Sequence, residues 1–166
     1  MTELSYGLDL APQIFANPIP GGHGPLVGGL TQPLVDLQVA DDLALFTTLV
    51  PTWLPRGLRA QTPTFDSFYD QSHGYAPEQR VRQVYADGAG QPVLEVIETL
   101  PGSPWDVTPP AAGLRRVGRG GHRLQAWPAA GGQPAVVRRV ADGTAALVCS
   151  RVLPLSVLER VAVALQ

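Results

Sequence analysis

The chain contains no lysine, and all 12 of its basic residues are arginine. This excludes a Schiff-base lysine, a lysine general base and the lysine of a phosphate-binding P-loop. There is one cysteine, Cys149, so neither an intrachain disulfide nor a multi-cysteine zinc site can form. No run of about 18 apolar residues occurs, which excludes a membrane-spanning helix. The opening Met1-Thr-Glu-Leu-Ser-Tyr6 lacks the basic start and apolar core of a secretory leader. As written, the chain is expected to be cytoplasmic. As a piece of a larger anchored protein it would be extracytoplasmic. Hydrolase signatures of the Gly-x-Ser-x-Gly, Ser-x-x-Lys and His-Glu-x-x-His kinds are missing as well.

What remains is ordinary globular material: 166 residues, 45% hydrophobic, with a net charge of −2. That length fits one domain with a substantial core. The charge is unevenly spread. Residues 1–106 carry four arginines against twelve acids, a balance of −8, and residues 107–166 carry eight arginines against two acids, +6. Such asymmetry fits either internal complementarity or an arginine-rich face for an anionic partner.

Residues 1–34 read as a Pro/Gly-rich N-terminal arm. Its segment Asn17–Pro33 holds four prolines and five glycines, which weaken both helix and strand. The arm keeps apolar residues such as Leu26 and Leu30, so part of it is expected to lie on the domain or on a neighbouring chain. Residues 35–166 read as a single domain. Asp36, Asp41 and Asp42 with Val39, Leu43 and Phe46 predict a helix within 36–48, closed before Pro51. Pro51-Thr-Trp-Leu-Pro-Arg-Gly57 reads as a rigid turn with Trp53 plugging the core.

Strand texture follows over Leu58–Pro63, Arg80–Ala86, Pro92–Leu100, Leu114–Val117, Arg123–Trp127, Ala135–Ala141 and Thr144–Val152. Asp87-Gly-Ala-Gly90 and Asp142-Gly143 are hairpin signals. Residues 101–113 form a proline-rich excursion. Ser156-Val-Leu-Glu159 reads as a capping box that opens a closing helix. The fold class is therefore α+β: a curved antiparallel sheet of about six or seven strands packed on a C-terminal helix, plus a short N-terminal helix.

Asp42–Phe46, the Pro51–Gly57 turn, Tyr85-Ala-Asp-Gly88, Val117–His122, Ala126-Trp127, Asp142-Gly143 and Leu155–Leu165 stand in a suggestive order. Over residues 36–166 the chain resembles an uncharacterised domain found in extracytoplasmic parts of bacterial anti-sigma-factor-like proteins and lipoproteins. That domain is itself distantly like the lipoprotein-carrier half-barrel. The resemblance implies a non-catalytic binding or sensing domain. The 1–34 arm and the 101–113 loop depart from its pattern.

Two groups of residues are candidates for binding. Arg115, Arg116, Arg119 and Arg123 flank one turn, and Arg138 and Arg139 lie on a neighbouring predicted strand. Guanidinium forks match carboxylates and phosphates, so these six could form one anion-binding face. Phe68, Tyr69 and Tyr75, with Phe65, form an amphipathic aromatic patch suited to protein contacts. The bland readings are a solvated sheet surface and a segment covering one end of the sheet.

Asp66, Asp70 and His73 have spacing that would meet on one side of a helical turn, but a solvated loop explains them, and no metal or cofactor is expected. Gly118–Arg123 reads as a hairpin turn rather than a phosphate loop, because strand-like sequence follows it. Glu95 and Glu98 fall on opposite faces of a strand and make no acid–base pair. Cys149 reads as a buried, inert thiol. The expected function is a non-enzymatic binding or protein-interaction module, with a protein partner or self-association. Nucleic-acid or nucleotide binding through the arginine face is the alternative, and a carrier of a small apolar ligand is the second alternative.

Overall fold

Alternating apolar and polar residues build the molecule around one sheet. The computed structural model describes residues 27–70, 78–103, 105–106 and 113–166, with side chains over 29–67 in the first stretch and throughout the rest. The strands are β1 (Val27–Pro33), β2 (Arg59–Ala60), β3 (Thr64–Asp70), β4 (Glu78–Ala86), β5 (Pro92–Thr99), β6 (Arg115–Arg119), β7 (His122–Trp127), β8 (Ala135–Ala141) and β9 (Thr144–Ser150). The order across the sheet is β1-β3-β4-β5-β9-β8-β7-β6, with β2 pairing separately to β4. Every pairing is antiparallel. Two helices, α1 (Leu37–Leu43) and α2 (Leu155–Val163), complete the described residues.

The sheet-dominated α+β class holds, and the sheet has nine strands rather than six or seven. The additional strands are β1 and β3. The last part of the segment read as an irregular arm is β1, paired along its whole length with β3, and Leu34 beside it is buried in the core. The glycines and Pro33 of β1 are tolerated because it is an edge strand with one neighbour. Strand β1 thus belongs to the same sheet as the rest. The segment read as a polar loop is β3; its Asp66 is satisfied by Arg80 directly across the pair. The strand expected over Leu58–Pro63 shrinks to β2.

Register divides the sheet into two faces. The inner face carries Leu94, Val96, Leu124, Val137 and Val148, which pack on Leu158, Val161 and Leu165 of the C-terminal segment. Thus α2 covers β7, β8 and β9. Beyond it, Ala40 of α1 and Phe46 cover Phe65 and Val81. Trp53 is only partly buried against the main cluster, with Arg160 stacked 3.8 Å from its ring centre.

The helix ends separate one expectation from another. Asp36 caps α1, its carboxylate accepting the Val39 N–H at 3.1 Å. The capping box at Ser156 does not form. Instead α2 begins after Pro154 with no side-chain cap, which puts Ser156 inside the first turn. The Glu159 carboxylate that would reach back is held by Arg119 at 3.1 Å. The two-residue turns do form. Asp142 and Gly143 have φ of +50° and +79°, and Gly120 and Gly121 have +56° and +81° between β6 and β7.

Candidate functional site

Consecutive hairpins make β6, β7 and β8 neighbours, which brings the six candidate arginines onto one end of the sheet. Register then separates them. Arg116 lies opposite Gln125, which lies opposite Arg138, and Arg123 lies opposite Gly118; these share the outer face. Arg139 lies opposite Leu124 on the inner face, and Arg115 and Arg119 fall on that side too.

The inner arginines are largely consumed by the fold. Arg139 is 7% exposed. Its Nη1 donates to the carbonyls of Ala162, Val163 and Leu165 at 2.8, 3.1 and 2.7 Å. The Ala162 and Val163 carbonyls lie in the last turn of α2 and the Leu165 carbonyl just beyond its cap, and a cation there also opposes the helix dipole favourably. Burial lowers the Arg139 pKa and the nearby Asp142 raises it, with burial the larger effect. Arg119 bridges to Glu159 and to the Ser156 carbonyl.

The outer arginines line an open depression of about 620 Å³, bounded by Arg116, Gly118, Arg123, Gln125, Arg138 and Val140. Arg138 is held firmly. Its Nε and Nη2 clasp both oxygens of Asp106 at 2.7 and 2.5 Å, and Nη1 donates to Gln125 at 3.0 Å. Asp106 and its neighbour Trp105 lie over the outer face. There Trp105 stacks with Arg80 at 4.1 Å, and Leu114 packs on Trp127, Val136 and Leu147. Burial alone would raise the Asp106 carboxyl, but the Arg138 bonds and the Gly102 N–H outweigh it and hold it below the usual carboxylate range. The same bonds, outweighing burial, raise Arg138. Among the described residues, no carboxylate pairs with Arg116 or Arg123.

The aromatic candidates do not join this site. Phe68 and Tyr69 belong to β3 at the far end of the sheet, with side chains outside the described residues, and Tyr75 lies outside them entirely. Phe65 is core. Trp127, the aromatic nearest the arginines in sequence, is 4% exposed and cannot offer a stacking face. The three-residue metal constellation also changes. Asp66 is 3% exposed and bound by Arg80 at 2.7 Å, Asp70 sits on a strand rather than a helical turn, and His73 is outside the described residues. Among the described residues, no group of His, Cys, Asp and Glu could hold a metal ion, and no helix is long and apolar enough to cross a membrane.

A buried polar group escaped sequence reasoning. Glu98 does sit opposite in sense to Glu95, which pairs with Arg82 on the outer face. On the inner face Glu98 is fully buried. Its Oε1 accepts the Leu49 N–H at 2.9 Å, and Gln83 donates to the Leu49 carbonyl at 2.8 Å and to Glu98 Oε2 at 3.2 Å. Tyr85 donates to Gln83 at 2.7 Å. The irregular segment around Leu49 thus obtains from side chains the partners that a strand would supply. Burial pushes the Glu98 carboxyl up to about 8, and the charge of Asp41 adds to the rise; the two donors moderate it. Burial, helped by Glu95, pushes the Cys149 thiol up to about 12.

Set against protein-family models and against curated proteins, the chain matches none, so its own geometry carries the functional reading.

Proposed function

We propose that this chain is a non-enzymatic binding module whose outer sheet face, between β6 and β8, receives an acidic segment of a protein partner. The observation that carries this reading is the pair Arg116 and Arg123. They border one depression, lack carboxylate partners among the described residues and stand diagonally across a strand pair, within reach of a shared ligand. Asp106 on Arg138 is an example, built into the same depression, of a carboxylate gripped by a two-pronged guanidinium.

Two groups with raised pKa, buried Glu98 and half-buried Cys149, speak against catalysis. Glu98 is sealed beneath Leu49, and the Cys149 thiol stays protonated at neutral pH. Nucleic acid is the less favoured ligand, because stacking needs exposed rings and Trp127 is buried. An apolar carrier is less favoured too, since Leu49, Leu94, Leu124, Leu158 and Leu165 fill the inner face where such a ligand would sit.

The test is fluorescence anisotropy of a labelled glutamate-rich peptide titrated with the full chain. Arg116→Ala with Arg123→Ala should weaken binding by roughly tenfold or more, the loss of charge-assisted contacts. Unchanged affinity would end the proposal. So would tighter binding of a single-stranded oligonucleotide with a steep salt dependence.

A further inference from the structure

The depression opens onto the edge of the sheet. Among the described residues, strand β6 is last in the order, with β7 on one side and no strand on the other. Four of its five residues are exposed. Three of the five are arginine and none is acidic. The opposite edge differs: β1 holds no charged residue and carries Gly28, Gly29 and Pro33. A free edge is a row of unpaired donors and acceptors, ready to accept another strand. Arginines on it repel a second basic copy of β6 and favour a strand of opposite sign.

Gly118 adds a second observation. It sits directly opposite Arg123, between that residue and the edge. Its φ lies outside the left-handed region, and a Cβ there would meet nothing within 4 Å. Neither backbone conformation nor packing requires glycine here. With no side chain at Gly118, nothing from β6 stands between Arg123 and the edge at that register position.

We infer that the acidic segment enters as an added strand on the free edge of β6, its outer-face carboxylates meeting Arg116 and, across Gly118, Arg123. This rests on the proposed acidic-partner reading. Side chains of an added strand alternate between faces, so the opposite set would meet Arg115 on the inner side. Backbone pairing supplies affinity, and the arginines select the sign of the partner.

The test uses the full chain and one probe, a heptapeptide alternating glutamate and threonine. Its binding is followed by anisotropy, and amide hydrogen exchange is followed by NMR. Bound peptide should slow exchange by roughly tenfold or more at amides of Arg115–Arg119, with no change in β1. Gly118→Val should keep the fold and weaken binding by roughly tenfold, while Gly118→Ala stays within about threefold. Peptide that binds without protecting β6, or that ignores Gly118→Val, would overturn strand addition and leave the acidic-partner reading standing. Peptide that does not bind at all would overturn both.

Discussion

The two faces of the sheet treat charge in opposite ways. On the inner face the buried polar groups Arg139, Glu98 and Gln83 are spent on the backbone of the same chain: Arg139 on the end of α2, and Glu98 and Gln83 on Leu49. On the outer face the pairs are between side chains, Asp66 with Arg80, Glu95 with Arg82 and Asp106 with Arg138, and among the described residues Arg116 and Arg123 have no carboxylate partner. The difference follows from water. A buried backbone group without a partner costs far more than an exposed one, so inner polar side chains answer structural demands. Exposed arginines have water as a partner and remain available to a ligand.

The largest expected effect is a pH dependence from the inner face. The Glu98 carboxyl lies near 8 in the folded protein, against an ordinary value of 4.5. A raised carboxyl pKa contributes stability that is full below the unfolded value and is lost as pH rises through the folded one. Between about 4.5 and 8 the folded chain holds a proton that the unfolded chain releases, so unfolding free energy should fall by up to about 1.4 kcal/mol per pH unit. Urea titrations across this range measure the slope. Glu98→Gln, which keeps an acceptor for the Leu49 N–H, should flatten it. An equal slope in that variant would place the titration elsewhere and break the contrast between the faces.

Next in size is a direct comparison of arginines. Arg139→Ala leaves three carbonyls at the end of α2 without their donor. Buried unsatisfied groups of this kind cost about 1–3 kcal/mol each, relieved in part by water, and a total near 3 kcal/mol is expected from urea unfolding. Arg116→Ala and Arg123→Ala should each stay within about 0.5 kcal/mol of the parent. A large loss at Arg116 or Arg123 would make those residues structural and remove the site.

The sequence made some of this legible. The hairpins at Asp87–Gly90, Gly118–His122 and Asp142-Gly143 were readable because turn chemistry is local: glycine at positive φ suffices to announce them. They paired β6 with β7 and β8 with β9, so Arg115, Arg116, Arg119 and Arg123 could be grouped from the sequence, while the pairing of β7 with β8 that brings in Arg138 and Arg139 rests on the 128–134 connection, which is not among those turns. The division of the arginines between faces could not be foreseen, since it follows from register, and register follows from partners far along the chain. The same reason hid β1 and β3. Val27–Pro33 is poor strand material until β3 lies beside it, and the aspartates of β3 read as loop until Arg80 stands opposite Asp66. The Ser156–Glu159 spacing promised a capping box, but Arg119 holds that carboxylate. Glu98 gave no signal at all, because its role depends on where an irregular segment 49 residues earlier crosses the sheet.

The smallest expected effect sharpens the contrast most. Arg82 and Glu95 form the clearest outer-face ion pair away from the depression, and their side chains are 46% and 30% exposed. Both are solvated before and after folding, and ordering two long side chains costs entropy. A double-mutant cycle with Arg82→Ala and Glu95→Ala should therefore give a coupling of about 0.2–1 kcal/mol, shrinking as salt is added. If the coupling were as large as the Arg139 effect and insensitive to salt, the outer face would be as structural as the inner one. Arg116 and Arg123 would then lose their distinction as spare charges. A weak, salt-sensitive pair instead means that this face holds its arginines loosely enough for a ligand to claim them.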